Sequence, residues 1–351
     1  MHPPNVAFFI AVALLFTLLG CSDSGQWGSA PLDNYLSRLA RSLETDLPSQ
    51  PLTRPILPRA RNLRLPMQPG SIDLLDMLAL RDCELDTTLG RSNSSLGKMA
   101  TASQRLLLEL EFLHLLPACI KSLDPADDRQ LIADLQAAER SKQQQLPARI
   151  WNATLGGPEF RRFWQGETRL GDYPDATGGE VPIALARLAQ LATGWLEGDY
   201  MLGHAELEPL LDQVRRGDGG QLLQALSAQQ GALASATPAL TLRRSETPLC
   251  FGGTPSPQGK ILDTVVRKFF IGEVQPWSVR LEQRRQQLLP PVLALEAQLL
   301  AVAPESYRDW REQRDRLLAS ARNAPKTHAL QVAQLLESCG LRPGVNAAIS
   351  P

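Results

Sequence analysis

The chain has 351 residues, with 36 Lys and Arg against 37 Asp and Glu, and so carries a formal net charge of -1 at pH 7. A charge balance this even argues against a nucleic-acid partner, which would require a concentrated basic face. An apolar content of 43% is ample for a core, and the length allows one large domain or two smaller ones.

The first feature along the chain is an N-terminal apolar run. Val6 to Leu19 is interrupted only by Thr17, and Leu18-Leu19-Gly20-Cys21 closes it. The run is shorter than the ~20 residues that span a bilayer, but it suits the core of a signal peptide. Its end resembles the lipobox of bacterial lipoproteins. The alternative is an uncleaved buried helix with an incidental cysteine.

The lipobox resemblance implies that residues 1–20 are a signal peptide and that Cys21 is the acylated first residue of the mature protein. Two acyl chains already hold a protein stably on a membrane. Ser22, directly after the cysteine, implies an outer-membrane destination on the periplasmic face. Residues 21–31 then read as a polar membrane tether, and residues 32–351 as a helical periplasmic domain.

Four further cysteines are present: Cys83, Cys119, Cys250 and Cys339. In an oxidising periplasm, four cysteines suggest two disulfides with three possible connectivities. The pairing Cys83–Cys119 and Cys250–Cys339 requires the least chain crossing and is our prediction. Buried free thiols are the alternative. The spacings do not match a CxxC redox pair or a zinc knuckle.

The first predicted helix of the body is Leu32–Leu47, with one apolar face formed by Leu32, Tyr35, Leu36, Leu39 and Leu43. The next segment, Leu47–Gly70, contains six prolines and four arginines and lacks carboxylates. Repeated proline favours extended backbone. Its apolar residues predict a strap laid over the helical body, with a disordered basic spacer as the alternative.

The middle of the chain is dominated by helical patterns. Ile72–Leu80 predicts a short helix that leads to Cys83, and Asn93–Ser95 offers N-cap side chains. The dense apolar sequence behind them predicts a central helix over Ser94–Leu116, which Pro117 ends or kinks.

The sequence of the second half also predicts helices. Its clearest strand-like alternation of apolar and polar residues is at Ala239–Leu242. The overall prediction is an all-α, irregular multi-helix bundle with a proline-rich extended strap. A Gly/Pro hinge is expected over Thr247–Gly259, and Pro276 and Pro290-Pro291 are expected to punctuate the later helices. The remaining predicted helices are Asp127–Leu146, Val181–Leu196, Leu207–Val214, Leu222–Ala234, Ile261–Val274 and Thr327–Cys339.

Two loops of the sequence have some features of ligand sites. Gly252–Lys260 resembles a phosphate loop, but Thr254 stands where the first glycine is needed and Ile261 follows the lysine. A phosphate loop is therefore excluded. The acidic loop with Asp172, Asp175 and Glu180 lacks EF-hand spacing and indicates a solvated loop. Neither loop predicts a metal or a cofactor.

The histidines and Glu-Ser pairs give weak catalytic signals. His114 follows Glu111 by three residues. This spacing favours a histidine that lies in the core or in a groove and pairs with Glu111. His204 lies near Glu206 and Glu208 without an HExxH pattern. Glu305-Ser306 and Glu337-Ser338 resemble the Glu-Ser start of lytic transglycosylases, but Glu305 fits the first turn of a helix better. The sequence contains no GxSxG elbow. A Ser/His/Asp triad assembled from residues far apart in the sequence is the alternative that stays possible. The sequence predicts no catalytic residue.

Several segments together resemble an uncharacterised bacterial lipoprotein family, one of the domain-of-unknown-function kind. They are Asn93–Lys98, Glu109–Ile120, Pro248–Cys250, Phe269–Ile271 and Gln275-Pro276. The resemblance implies a lipobox and a helical body, and it implies no activity.

Two functions follow as hypotheses. The favoured one is a lipid-anchored periplasmic envelope protein with a non-catalytic role in binding or assembly and an unknown envelope protein as partner. The alternative is an envelope hydrolase that acts on peptidoglycan or lipid. A buried acidic residue facing a deep cleft would favour the hydrolase.

Overall fold

The computed structural model describes residues 28–48, 54–68, 80, 83–165, 170–175, 177–246, 249–251 and 253–341. The first half contains α1 Ala30–Leu43, α2 Ala60–Leu63, α3 Leu85–Asn93, α4 Ser95–Met99, α5 Ala102–Ser122, α6 Arg129–Ala153, α7 Pro158–Phe163 and α8 Glu180–Leu196. The second half contains α9 Leu207–Arg215, α10 Gly219–Ser235, α11 Thr237–Glu246, β1 Cys250–Phe251, β2 Thr254–Pro255, α12 Pro257–Val265, a π-helix Val266–Val274, α13 Gln275–Leu299 and α14 Glu305–Glu337. The predicted all-α class is confirmed.

The helices pack around one apolar core. Helix α10 lies at its centre, where it packs chiefly on α14 and also on α13. Helix α8 packs on α13 and α9, while α5 and α6 form an antiparallel hairpin on the side of the bundle. Among the described residues, no helix combines the length and the apolar composition that crossing a bilayer demands.

Helix α1 buries the face that its periodicity predicts. Leu32, Tyr35, Leu36, Leu39 and Leu43 are all buried, and the helix packs on the π-helix and α12. Leu32, Leu36, Leu39 and Leu43 recur at intervals of three or four residues and Tyr35 adjoins Leu36, which places these side chains on one side of the helix. The prediction of an amphipathic first helix is therefore confirmed.

The proline-rich strap lies against α6 over the described residues 54–68. The Trp151 indole N–H donates to the carbonyl oxygen of Leu63 at 2.7 Å. Asn152 accepts from the Leu65 amide at 2.8 Å and donates to its carbonyl at 3.0 Å. Arg161 donates to the carbonyl of Pro58 at 2.9 Å. These side chains satisfy backbone groups that an extended segment cannot pair with itself.

The predicted central helix over Ser94–Leu116 is wrong in its bounds. Ser94 caps only the short helix α4, and α5 begins after Thr101, which forms a capping box with Gln104. Two successive caps split the segment because each offers the backbone a helix start. Helix α5 also continues through Pro117 to Ser122. Pro117 lies on the exposed side, where losing one intrahelical hydrogen bond is tolerated.

Other predictions are also corrected. Ala239–Leu242, the best strand candidate, lies in α11, where Ala239 and Leu240 are buried. The final helix begins at Glu305 rather than Thr327, and α13 continues through Pro290-Pro291. The predicted helix Ile261–Val274 is divided between α12 and the π-helix. Tertiary packing overrides these local preferences. The predicted helix Ile72–Leu80 lies outside the described residues apart from buried Leu80.

Two disulfides join distant segments of the bundle. Cys83–Cys119 connects the residues before α3 to the end of α5, with a Cα–Cα distance of 5.6 Å. Cys250–Cys339 connects β1 to the residues after α14, with a Cα–Cα distance of 5.2 Å. Both distances suit a disulfide. The structure thus contains both predicted pairs.

Candidate functional site

A cleft of about 540 Å³ opens between α3 and α4 on one side and the α5–α6 hairpin on the other. We call it the polar cleft and define it by its six charged residues, Lys98, Arg105, Glu109, Asp134, Lys142 and Arg149. Counted over the described residues, four cations against two carboxylates leave the cleft with a formal surplus of two positive charges. The chain as a whole carries a charge of -1, so the cationic character is local.

Glu109 organises two of the cations. Its carboxylate accepts from the Lys142 ammonium at 2.5 Å and lies 3.1 Å from the Arg149 guanidinium. The three side chains are only 14% to 19% exposed. Lys142 also lies 4.6 Å from the centre of the Phe112 ring, a cation–π contact. These contacts fix two long side chains that would otherwise lose conformational entropy on binding a ligand.

The opposite wall is held by Arg105 and a glycine. Arg105 donates to the carbonyl of Ala100 at 3.1 Å and to that of Lys98 at 2.5 Å. A Cβ on Gly97 would approach the carbonyl oxygens of Arg91 and Ser92, both immovable backbone atoms. The close approach of α4 to the end of α3 therefore requires glycine here. Lys98 is exposed, and its ammonium contacts no carboxylate within the part of the chain that the structure describes.

Helix α6 supplies the floor of the cleft through a polar stripe. Asp134, Ala138, Ser141, Gln145 and Arg149 recur at intervals of three or four residues and face the opening. Gln145 also accepts from the backbone amide of Gln68 at 2.9 Å, which brings the end of the strap to the cleft.

The predicted environment of His114 is wrong. Its side chain is exposed, and Glu111 instead accepts from the Thr88 hydroxyl at 2.9 Å and pairs with Arg91. Helical spacing allowed the His114–Glu111 contact, but α3 packs on α5 and provides these other partners.

The other weak sequence signals do not converge on a site. Glu206 accepts two hydrogen bonds from Arg187, and Asp175 forms an ion pair with Arg280 at 2.6 Å. Glu305 is exposed in the first turn of α14, as its position after Pro304 predicts. Within the described ranges, no group of three or more His, Cys, Asp or Glu side chains is placed to hold a metal ion. Cys21 lies outside the described residues.

Buried polar pairs occur elsewhere and hold the helices together. Glu296 accepts from Arg314 and Tyr307, and Asp218 accepts from Arg284 at 2.9 Å. His328 shares a 2.6 Å hydrogen bond with the Tyr35 hydroxyl. Burial lowers the pKa of His328 to about 4, so the imidazole is neutral at pH 7. Each of these groups has a structural partner within the bundle.

Sequence reasoning identified one of the cleft cations only as part of a motif and missed the other three. Lys98 belongs to the family-like run Asn93–Lys98. Sequence patterns do not distinguish Arg105, Lys142 and Arg149, because each looks like an ordinary charged residue on an amphipathic helix. The seven-residue spacing of Lys142 and Arg149 was the available signal, since it places both on one helix face.

Comparison with known protein families gives one match. The family described as "Protein of unknown function (DUF3080)" matches residues 32–343. This range covers most of the chain, including the polar cleft and all four body cysteines. No curated protein matches the chain. No solved structure matches it either.

Proposed function

We propose that this chain, a member of the DUF3080 family of unknown function, is a lipid-anchored envelope protein that binds an anionic ligand without catalysis. The proposed binding site is the polar cleft. The observation that carries the proposal is the surplus of two positive charges among the described residues of a cleft in which three of the four cations are held in place. A volume of about 540 Å³ suits a small molecule or one headgroup.

The arrangement of the cations supports binding of a phosphate or a carboxylate. Lys98 brings an ammonium that no carboxylate of the described residues contacts, while Glu109 holds Lys142 and Arg149 close together on the other side. Charge-assisted hydrogen bonds to such groups are short and strong. Positions fixed before binding reduce the entropy that binding costs.

The same cleft offers little support for the hydrolase alternative. Glu109 and Asp134 are the acidic residues that line the cleft among the described residues, but two cations occupy the oxygens of Glu109 and Asp134 is exposed, whereas a general acid needs an apolar pocket. Ser92 and Ser141 line the cleft, and the described part of its lining includes no histidine to activate them. We therefore favour binding over catalysis.

The binding proposal is tested by titrating the protein with inorganic phosphate at constant ionic strength, followed by NMR shifts of the 95–109 and 134–149 amides. We expect saturable binding. Lys98→Gln and Arg149→Gln should each weaken it about tenfold, the equivalent of one charge-assisted hydrogen bond. Lys326→Gln, an exposed lysine on α14, is the control and should leave the Kd unchanged.

A glycine pair provides a second variant set for the same titration. Gly97→Ala should weaken phosphate binding, because its Cβ would displace α4 and with it Lys98. Gly90→Ala on neighbouring α3 meets nothing within 4 Å and should bind as the parent does. Equal phosphate affinity in all the variants, or no saturable binding, would contradict the proposed site.

Lipid anchoring at Cys21 is the other part of the proposal, and the lipobox-like sequence Leu18–Cys21 supports it. Ser22 supports the outer membrane as the destination. We expect mass spectrometry of the mature protein to show an acylated N-terminal Cys21, and Cys21→Ala to remain an unlipidated precursor. Gradient separation of the membranes tests the destination. An unmodified Cys21 in the native protein would overturn the anchor.

A further inference from the structure

The rim of the polar cleft carries an exposed apolar pair. Leu96 and Met99 are 83% and 84% exposed, more than the other large apolar side chains that the structure leaves open to solvent. They are three residues apart on α4, so they project from the same side of one helical turn. Helix α4 buries none of its own side chains. This turn therefore presents apolar surface outward instead of contributing to the core.

The apolar pair and the cationic cleft belong to the same few residues. Gly97 and Lys98, which lie between Leu96 and Met99, line the cleft. A single turn of helix, with a rise of about 5.4 Å, thus offers apolar groups on one side and an unpaired ammonium on the other. Surfaces that bind at the membrane interface combine an apolar face with cations for anionic headgroups.

We infer that the ligand of the polar cleft is the phosphate of an anionic membrane lipid, with Leu96 and Met99 inserted among the neighbouring acyl chains. This inference rests on the proposed function, whose binding site it shares. A phosphodiester carries one negative charge, which the cleft's surplus of two positive charges can neutralise. The acyl chains of a lipid would contact the exposed pair, whereas a soluble phosphate would not, so the pair favours a lipid as the ligand.

Other occupants fit the surface less well. A sugar would gain from aromatic rings to stack against, and none is present among the described residues that line the cleft. A stable protein interface buries about 800 Å² on each partner and relies on aromatic or arginine anchors, beyond what two aliphatic side chains supply.

The proposed anchor keeps the start of α1 near a bilayer. Ala30, where α1 begins, lies nine positions after Cys21. Nine residues span at most about 30 Å even when fully extended. Local confinement of this kind raises the effective concentration of lipid around the whole protein, which favours occupancy of a weak headgroup site.

The test measures hydrogen–deuterium exchange of the acylated full mature protein in nanodiscs. One set contains phosphatidylcholine alone, and the other adds one part of phosphatidylglycerol to three parts of phosphatidylcholine. We expect the amides of residues 95–105 to exchange about tenfold more slowly with phosphatidylglycerol, since a ligand that binds the folded state suppresses local opening.

The variants separate the two halves of the surface. The double variant Leu96→Ser/Met99→Ser and the single variant Lys98→Gln should each lose this protection. Ile183→Ser/Leu330→Ser removes two exposed apolar side chains elsewhere, 71% and 54% exposed, and should retain it.

Equal exchange in the two membranes would overturn the lipid inference. Protection by added inorganic phosphate in phosphatidylcholine nanodiscs, with none from phosphatidylglycerol, would assign the cleft to a soluble phosphate. In both cases, saturable phosphate binding at the cleft would leave the proposed function standing. Loss of phosphate binding as well would contradict both the lipid inference and the proposed function.

Discussion

Arg314→Met is expected to lower the free energy of unfolding by about 3–5 kcal/mol, the cost of leaving a buried charge without its partner. Arg314 is 0% exposed and Glu296 is 1% exposed. The guanidinium donates to both oxygens of Glu296, at 2.5 Å and 2.9 Å. The Trp164 and Trp310 rings lie over it, 5.5 Å and 5.2 Å from its central carbon.

Equilibrium urea unfolding measures this effect, with Arg316→Met as the matched control. Arg316 lies on the same helix in a pair with Glu312 that is 69% and 72% exposed, and such pairs contribute about 0–1 kcal/mol. The double variant Glu296→Leu/Arg314→Met removes both charges and should recover part of the loss. A loss below 1 kcal/mol in Arg314→Met would show that Arg311 and Tyr307 suffice to compensate Glu296.

Replacing Cys250 and Cys339 together with alanine is expected to cost about 4 to 5 kcal/mol. The bridge closes a loop with a sequence separation of 89, and the loss of chain entropy on closing a loop grows with its length. The same replacement of Cys83 and Cys119, at a separation of 36, should cost about 0.8 kcal/mol less. Denaturant unfolding of the two double variants gives the comparison.

Peptide mapping without reductant provides the control for the disulfide experiment. Each double variant should retain the other bridge intact, and the parent protein should contain both. Parent protein with free thiols at these four positions, or equal stability of the parent and the two variants, would contradict the prediction.

Local patterns predicted what depends on one helix alone. The apolar side of α1 was identified residue by residue because helical periodicity is a property of a short segment. The strap was also predictable, since its prolines exclude helix while its apolar residues need a surface to cover. The turn α2 within it, Ala60–Leu63, was the part that this reasoning missed.

Predictions that depend on neighbouring elements were less successful. His114 and Glu111 have the spacing of a pair, but the partners that Glu111 actually binds come from α3. The polar cleft draws its residues from positions as far apart as Gln68 and Arg149, and no short window contains them together. The burial of Arg314 opposite Glu296 likewise follows from the packing of α13 and α14, whose charged residues otherwise look like solvent-exposed ones.

The position of α1 has a consequence for the order in which the bundle is completed. Asn34 bonds to Glu273 at 2.9 Å, and Tyr35 bonds to His328, so α1 depends on partners that are synthesised 239 and 293 residues later. Contacts of such long sequence separation form late, because they must first overcome the entropy of closing a large loop. The apolar face of α1 therefore stays uncovered until α12 and the π-helix are available. A chain truncated before α12 would keep this apolar surface exposed and be prone to aggregation.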